Sequence, residues 1–137
     1  MLRVQTDNDV NDELIAFVRF WFDLLARGEV DKACALIDKP NSYGMRWTPE
    51  TIIDLLFDCF GPGTVFASLH PEGPHFTAVF QTKGNARADV IPFSDGSGFS
   101  VEHDVPLNGE WSDLTAQFEF LGKSPEFEVI LHDLHVL

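Results

Sequence analysis

The second half of the chain alternates apolar and polar residues with a period of two around a strong turn signal. Asn108-Gly109 is the dipeptide most typical of a two-residue hairpin loop, and such a loop places Leu107 opposite Glu110. Counting outwards from this turn puts the apolar residues of both segments on one face, whereas a slip of one residue would separate them. The sequence therefore predicts two long antiparallel strands that share a buried face.

Weaker turns extend this face into a five-stranded meander. The predicted central pairs are Val105–Ser112, His103–Leu114, Val101–Ala116 and Phe99–Phe118. Loops at 84–85, 94–98 and 122–125 add a strand at 76–82, another at 87–93 and a last strand that begins near Phe127. Residues 65–70 are a candidate sixth strand, so the sheet is predicted to occupy about residues 64–137.

The first half has helical periodicity. From about Asp9 to Arg27 a single narrow polar stripe lies on an otherwise apolar helix, which must therefore be covered on more than one side. A short second helix ends at Pro40, and Thr48 is a natural N-cap for a third, with Pro49 in the first turn. Helices at about 8–61 followed by strands predict one α+β domain over residues 1–137, with the helices packed on a curved antiparallel sheet of five or six strands.

The charge of the chain restricts its partners. Asp and Glu total 22 against 9 Lys and Arg, which gives a formal net charge of -13. This field repels phosphate backbones and anionic lipid headgroups, so nucleic acid and membrane surfaces are excluded as predicted partners. A basic protein or a cationic ligand is the class that the field would attract.

The cysteines and the N-terminal residues predict a cytoplasmic protein. Cys34 and Cys59 lie among apolar residues of helix-like segments, and free thiols in a reducing compartment are favoured over a disulfide. The first ten residues lack the apolar stretch of a signal peptide, and no run approaches the ~20 apolar residues of a membrane span.

The predicted inner face of the sheet becomes polar towards one end, which suggests the mouth of a pocket. Under the predicted register Asp89 lies opposite His103, and a carboxylate beside an imidazole is an arrangement used in general acid or base catalysis. Asp133 lies further along the same row, where it could flank a bound ligand. The other predicted lining residues are Phe80, Arg87, Leu114, Ser112 and His135. Alternatively, the row marks where the helix stops covering the sheet, and the polar side chains there have no catalytic task.

The last strand leaves a second alternative open. A straight strand would turn Asp133 inwards, whereas a β-bulge near His132 would turn it outwards and let Leu134 and Val136 continue the buried face. On a regular strand His132 and His135 point to opposite faces, so no metal site is predicted for this pair. Phosphate-binding loops, nucleophile elbows and zinc-finger spacings are absent from the sequence, and no cofactor is predicted.

The outer face of the predicted sheet is acidic. The register places Asp104 opposite Asp113 and Glu119 opposite Glu128, and like charges in these positions normally destabilise a sheet. Two interpretations follow: a docking surface for a basic partner, or an acidic face that is simply solvated.

The order of elements resembles the nuclear-transport-factor-two-like superfamily, in which a sheet wraps a long helix into a cone. The segment "FVRFWFDLLARGEVDKACALID" is similar to the opening helical pair of that superfamily, and "PLNGEWSDLTAQFEF" with "LHDLHVL" resembles an uncharacterised bacterial protein family. The resemblance implies a cone that often holds a pocket, and a homodimer through the outer sheet face, which the acidic pairs would oppose. Members include enzymes, ligand binders and non-catalytic partner-binding domains, and no catalytic residue carries over.

Two functions remain as hypotheses. The favoured one is a non-catalytic partner-binding protein of the immunity or accessory type, which uses its acidic surface. The alternative is a small-molecule binder, or an isomerase-like or lyase-like enzyme, with Asp89, His103 and Asp133 at the mouth of the cone.

Overall fold

The computed structural model describes residues 1–136 and shows α-helices packed against a curled antiparallel sheet that forms a half-barrel, as predicted. The α-helices are α1 (Val10–Ala26), α2 (Val30–Ala35), α3 (Pro49–Phe60) and α4 (Val65–Leu69). The strands are β1 (Leu2–Arg3), β2 (Ala88–Pro92), β3 (Gly98–Leu107), β4 (Glu110–Lys123) and β5 (Glu126–Val136). Their order in the sheet is β1-β5-β4-β3-β2.

Helix α1 fills the concave face of the sheet. Asp9 caps it by accepting a hydrogen bond from the Asp12 N–H at 3.2 Å, and the chain leaves it at Gly28, whose φ of 76° suits glycine. Its Trp21 ring packs edge-on against Phe118 of β4, with 5.1 Å between the ring centroids. Most of the apolar residues around this helix are therefore used in packing, as the narrow polar stripe predicted, whereas Phe20 is 48% exposed.

Helix α3 begins where its sequence signals place it. The Thr48 hydroxyl accepts from the Thr51 N–H at 3.2 Å, and the Thr51 hydroxyl accepts from the Thr48 N–H at 2.8 Å. This reciprocal capping pairs two backbone donors that have no partner within the helix, and Pro49 occupies the first turn without losing a hydrogen bond.

The central hairpin forms at Asn108-Gly109 as predicted, but its register then shifts by two residues. Leu107 lies opposite Glu110, whereas an irregularity between Asp104 and Pro106 places His103 opposite Ala116 instead of Leu114. The predicted pairs beyond the turn are wrong for this reason. The predicted faces are right, because side chains alternate with a period of two and a shift of two leaves each on its own side.

Strand β5 contains the bulge that was one of the two alternatives for its end. Leu131 lies opposite Phe118, but Leu134 lies opposite the next inner residue, Ala116, so His132 is the extra residue. After the bulge Leu134 continues the buried face, and Asp133 turns to the outer face. The straight-strand alternative, which carried Asp133 into a pocket, is wrong.

Two predicted strands are not strands. Residues 65–70, the candidate sixth strand, contain the whole of helix α4 and its C-cap His70. Residues 75–84, which we call the covering segment, cross the end of the β3–β4 hairpin: Thr77 donates from its N–H to the Pro106 carbonyl at 3.1 Å, and Lys83 to that of Gly109 at 2.9 Å. The backbone groups predicted to pair with β2 thus bond to the hairpin end, and β2 is left as an edge strand.

The opposite edge of the sheet is covered by two separate segments. Strand β1 pairs with the start of β5 at Phe127, and the loop after α2 bonds to the following residues of β5. Asp38 accepts from the Val129 N–H at 2.7 Å and donates its own N–H to the Val129 carbonyl, and the Trp47 indole donates to the Leu131 carbonyl at 2.7 Å. Covering an edge in this way pairs backbone groups that would otherwise attract another strand.

The described residues also settle two smaller points. Cys34 and Cys59 are free, as predicted, and both are half-buried; burial raises the pKa of both thiols. Within residues 1–136, none of the helices combines the length and apolar character that a membrane crossing requires.

The aromatic core and one exposed phenylalanine allow a matched test of this packing. Phe118 is fully buried between Trp21 and Phe120, so Phe118→Ala should lower the free energy of unfolding by about 3–5 kcal/mol. Phe80 was predicted to line the pocket mouth on the inner face but is 85% exposed, and Phe80→Ala should change stability by less than about 0.5 kcal/mol. Urea titrations followed by circular dichroism measure both, and equal losses would contradict this assignment of core and surface.

Candidate functional site

A buried histidine lies at the hairpin end of the half-barrel, the end that is closed by the Asn108-Gly109 loop and the covering segment. His103 is fully buried between the rings of Phe22 and Trp111, at centroid distances of 5.2 and 5.5 Å. The Arg19 Nε donates a hydrogen bond to His103 Nε2 at 3.1 Å, and its guanidinium lies 5.8 Å from the centre of the Trp111 ring. We call these three side chains, Arg19, His103 and Trp111, the histidine cluster.

The hydrogen bonds of His103 define its charge state. A guanidinium can only donate, so Nε2 must carry the lone pair, and the proton then sits on Nδ1, which lies 2.7 Å from the Asp104 carbonyl oxygen. Burial lowers the pKa of His103; the Asp104 carbonyl opposes this shift and the positive charge of Arg19 adds to it. His103 is therefore a neutral imidazole whose only lone pair is already engaged.

The predicted acid–base pair does not form. Asp89 lies opposite Glu102, and Ala88 is the residue opposite His103, because the turn between β2 and β3 differs by one residue from the predicted loop. A one-residue difference reverses the side of the sheet, so Asp89 is on the outer face. His103 has neither a carboxylate partner from β2 nor a free lone pair with which to accept a substrate proton.

The predicted pocket lining is also dispersed. Phe80 projects into solvent from the covering segment, and Arg87 and His135 lie on the outer face. Leu114 is fully buried in the core, while the Ser112 hydroxyl donates to the Val105 carbonyl at 2.7 Å within the β3–β4 irregularity. The structure does not bring these five residues together, and the histidine cluster occupies the place of the predicted polar mouth.

Asp89 and Asp133 do share a cross-strand row, on the other side of the sheet. The row runs from Asp89 on β2 through Glu102 on β3 and Gln117 on β4 to Asp133 on β5. We call it the acidic row. Its carboxylates are accessible, with 51%, 29% and 48% of the Asp89, Glu102 and Asp133 side chains exposed.

The acidic row has one cationic neighbour at its β2 end. The Arg87 guanidinium lies 3.6 Å from Asp89, 3.8 Å from Glu102 and 3.9 Å from Asp104. A single charge shared among three carboxylates at these distances leaves the group with a net negative charge. At the other end His135 lies 3.3 Å from Asp133 and adds positive charge only when protonated.

The remaining predicted acidic residues surround this row without forming the predicted like-charge pairs. Asp104 lies opposite Thr115, and Glu119 opposite Ser100 and Ile130, so the pairs Asp104–Asp113 and Glu119–Glu128 are wrong. The shifts of the two hairpins moved them out of register. Glu119 instead lies 3.6 Å from His132, Glu128 lies 3.3 Å from Lys39, and Asp113 is exposed in the irregular part of β4.

Three polar atoms next to the acidic row have no hydrogen-bond partner within residues 1–136. These are the hydroxyl of Thr115, which is fully buried, and the Nδ1 atoms of His132 and His135. Thr115 lies on β4 between Asp104 and His135. Sequence reasoning missed this residue, because its alternation marks a solvent-facing position and nothing in the pattern indicates that neighbouring side chains bury it.

A shallow apolar groove lies at the opposite end of the half-barrel and was also missed. It has a volume of about 220 Å³ and is lined mainly by Val10, Pro92, Phe93, Phe99 and Phe127. Gly98 forms part of its wall, and a Cβ atom added there would clash with the Phe120 carbonyl. Among the described residues that line the groove, Lys123 and Ser124 are the only two with polar side chains, so the groove lacks the several converging ionisable groups that mark a catalytic site.

Among the described residues no group of three or more His, Cys, Asp or Glu side chains could hold a metal ion. No protein-family model, curated protein or solved structure matches the chain.

The neutral state of His103 predicts a pH dependence of stability. Its unfolded-state pKa is close to 6.5 and its folded-state pKa is lower, so below pH 6.5 the unfolded chain binds a proton that the folded chain does not. The free energy of unfolding should therefore fall as the pH drops from about 6.5, and the loss should stop below the folded-state pKa. Urea titrations between about pH 7.5 and 5 should show a smaller fall for His103→Gln than for the unsubstituted protein. Identical pH profiles would contradict the neutral buried imidazole.

Arg19 offers a second test of the same cluster. Arg19→Met keeps most of the apolar stem and removes the charge that lowers the pKa of His103, so that pKa should rise. A titration of the His103 ring protons by NMR measures the change. Lys32→Met, which removes an equal charge from the exposed face of α2, is the matched control and should leave the His103 titration unchanged.

Proposed function

We propose that this chain is a non-catalytic binding protein of the immunity or accessory type, whose outer sheet face docks a basic protein. The observation that carries the proposal is the acidic row, which aligns the carboxylates of Asp89, Glu102 and Asp133 across four neighbouring strands. Asp89 and Glu102 are direct cross-strand neighbours, an arrangement that destabilises a sheet unless a positive charge is close by.

A basic partner would supply the charge that the fold lacks at this surface. Arg87 is shared among three carboxylates, and the chain as a whole carries a formal net charge of -13. Lys and Arg side chains of a partner would gain favourable interactions with the acidic row and would be steered towards it by the field of the whole molecule.

The geometry favours this function over a small-molecule enzyme with a polar mouth. The alternative needs Asp89 and His103 in contact and an open end of the half-barrel. Asp89 is on the outer face, and Arg19 and Trp111 pack against the buried His103.

We also propose that the fold is a nuclear-transport-factor-two-like cone and that the protein acts in the cytoplasm. The order of α1, α2, α3 and a curled antiparallel sheet supports the first proposal. The free thiols of Cys34 and Cys59 are compatible with a reducing compartment, which supports the second.

Charge reversal tests the docking surface. We expect peptides selected against the immobilised protein from a random displayed library to be rich in Lys and Arg, and to shift the amide resonances of β2, β3 and β5 on the outer face. The triple variant Asp89→Lys, Glu102→Lys, Asp133→Lys should weaken their binding by at least about 100-fold, since it replaces attraction with repulsion at three contacts.

The control changes the same amount of charge at a distance from the row. Asp7→Lys, Asp31→Lys, Glu110→Lys alters the net charge equally at exposed positions on other parts of the surface. This control should weaken binding by less than about tenfold through the overall field alone. Equal losses in both triple variants, or resonance shifts confined to the helices, would contradict the proposed docking surface.

A further inference from the structure

Helix α3 presents an exposed face made only of acidic and apolar residues. Glu50, Asp54 and Asp58 follow one another at intervals of four and form an acidic stripe along the helix. Ile53 and Phe57, also four apart, lie alongside this stripe and are 36% and 47% exposed. These five residues are all the exposed residues of α3, and they include no cationic and no neutral polar side chain.

Helix α4, which packs against the end of α3, carries two further exposed apolar side chains. The rings of Phe60 at the end of α3 and Phe66 on α4 pack together at a centroid distance of 5.0 Å, which joins the two helices. On the exposed side of α4, Val65 and Leu69 are four residues apart and are 80% and 72% exposed. We call the combined region the α3–α4 surface; it consists of Glu50, Ile53, Asp54, Phe57, Asp58, Val65 and Leu69.

The acidic stripe and the apolar side chains beside it indicate the chemistry of a partner that would fit this surface. Four large apolar side chains in solvent on adjoining helices are typical of an interaction site. Carboxylates repeated every four residues on one helix repel each other, and within residues 1–136 none of the three acidic side chains takes part in an ion pair. A complementary surface therefore has apolar side chains along its centre and positive charge along one flank.

We propose that the α3–α4 surface binds an amphipathic basic helix of a partner protein. Apolar anchors spaced by three or four residues on such a helix would lie against Ile53, Phe57, Val65 and Leu69, as in helix-in-groove recognition. Lys or Arg on one side of it would pair with Glu50, Asp54 and Asp58. This surface is separate from the acidic row of the sheet, and the inference does not depend on that row.

The charge of the α3–α4 surface favours a basic helix over two other possible occupants, a second copy of the chain and an anionic membrane. A second copy of the chain would bring acidic stripe against acidic stripe, and both copies carry a formal net charge of -13. An anionic membrane would repel the same stripe, although it could accept the apolar side chains. A basic helix satisfies both stripes together.

A synthetic helical peptide of about four turns is the probe, with Leu at every third or fourth position and Lys on one flank. Its binding is followed by the fluorescence anisotropy of a label at one end. A peptide of the same composition in scrambled order, which has the same charge but no continuous apolar face, is the control. We expect the amphipathic peptide to bind at least about tenfold more tightly than the scrambled one and to shift the amide resonances of α3 and α4.

Two double variants test the two stripes. Phe57→Ser with Leu69→Ser removes apolar anchors and should weaken binding at least about tenfold, whereas Phe80→Ser with Ile91→Ser, at exposed apolar positions elsewhere, should change it less than about threefold. Asp54→Asn with Asp58→Asn should weaken binding about tenfold. Asp7→Asn with Asp31→Asn changes the net charge equally and should have less than half that effect on the binding free energy.

Three outcomes would overturn the inference. Equal binding of the scrambled peptide, or equal losses in the control variants, would mean that the overall field alone attracts the peptide. Sedimentation of the protein alone as a dimer that Phe57→Ser dissociates would make a second copy the occupant. The third is a loss of peptide binding as large in the triple variant of the acidic row as in Phe57→Ser with Leu69→Ser, which would place the peptide on the sheet instead.

Discussion

The packing of α1 into the concave face of the sheet is the contact on which the rest of the structure depends. A curled sheet exposes an apolar inner surface, and here Phe17 and Trp21 of α1 fill it by edge-on contacts with Phe118 and Phe120 of β4. These rings occupy the volume in which a cone-shaped fold could hold a ligand. Because the interior is used for stability, both surfaces that we propose for binding lie outside it, on the outer face of the sheet and on the exposed sides of α3 and α4.

Sequence reasoning predicted this architecture well because its main signals are local. The cap of α3 and the Asn108-Gly109 turn each depend on a few adjacent residues whose backbone preferences are strong. The residues of β4 were assigned to the correct face despite an error of two residues in register, because an even shift leaves each side chain on the same side of the sheet. The prediction of a strand at residues 76–82 was wrong. The apolar and polar residues do alternate there, but the backbone groups bond to the hairpin loop and to Asp23 of α1, and no local sequence pattern indicates these distant contacts.

The candidate site shows where such reasoning stops. Asp89 and Asp133 were predicted to share a row, and they do, but an odd error in one turn and a bulge in β5 placed both on the opposite face. A register error of one residue does not affect whether a strand is identified. It does reverse the face on which a side chain lies, so Asp89 belongs to a surface row and not to a pair with His103. The same count left His103 inside the fold. Its partner there is Arg19, 84 residues away in sequence, and no spacing rule could have identified that pair.

The segment that covers the edge of β5 has a consequence for how the chain acquires its structure. Asp38, Asn41 and Trp47 bond to backbone groups of β5, and the hydrogen bonds of the three side chains span 84 to 91 residues of sequence. Contacts this distant are slow to close and form late, so the loop between α2 and α3 cannot settle until β5 has been synthesised and paired with β4. During synthesis the apolar faces of the helical half would therefore remain uncovered. The fold would be completed only when β5, the last strand of the chain, docks.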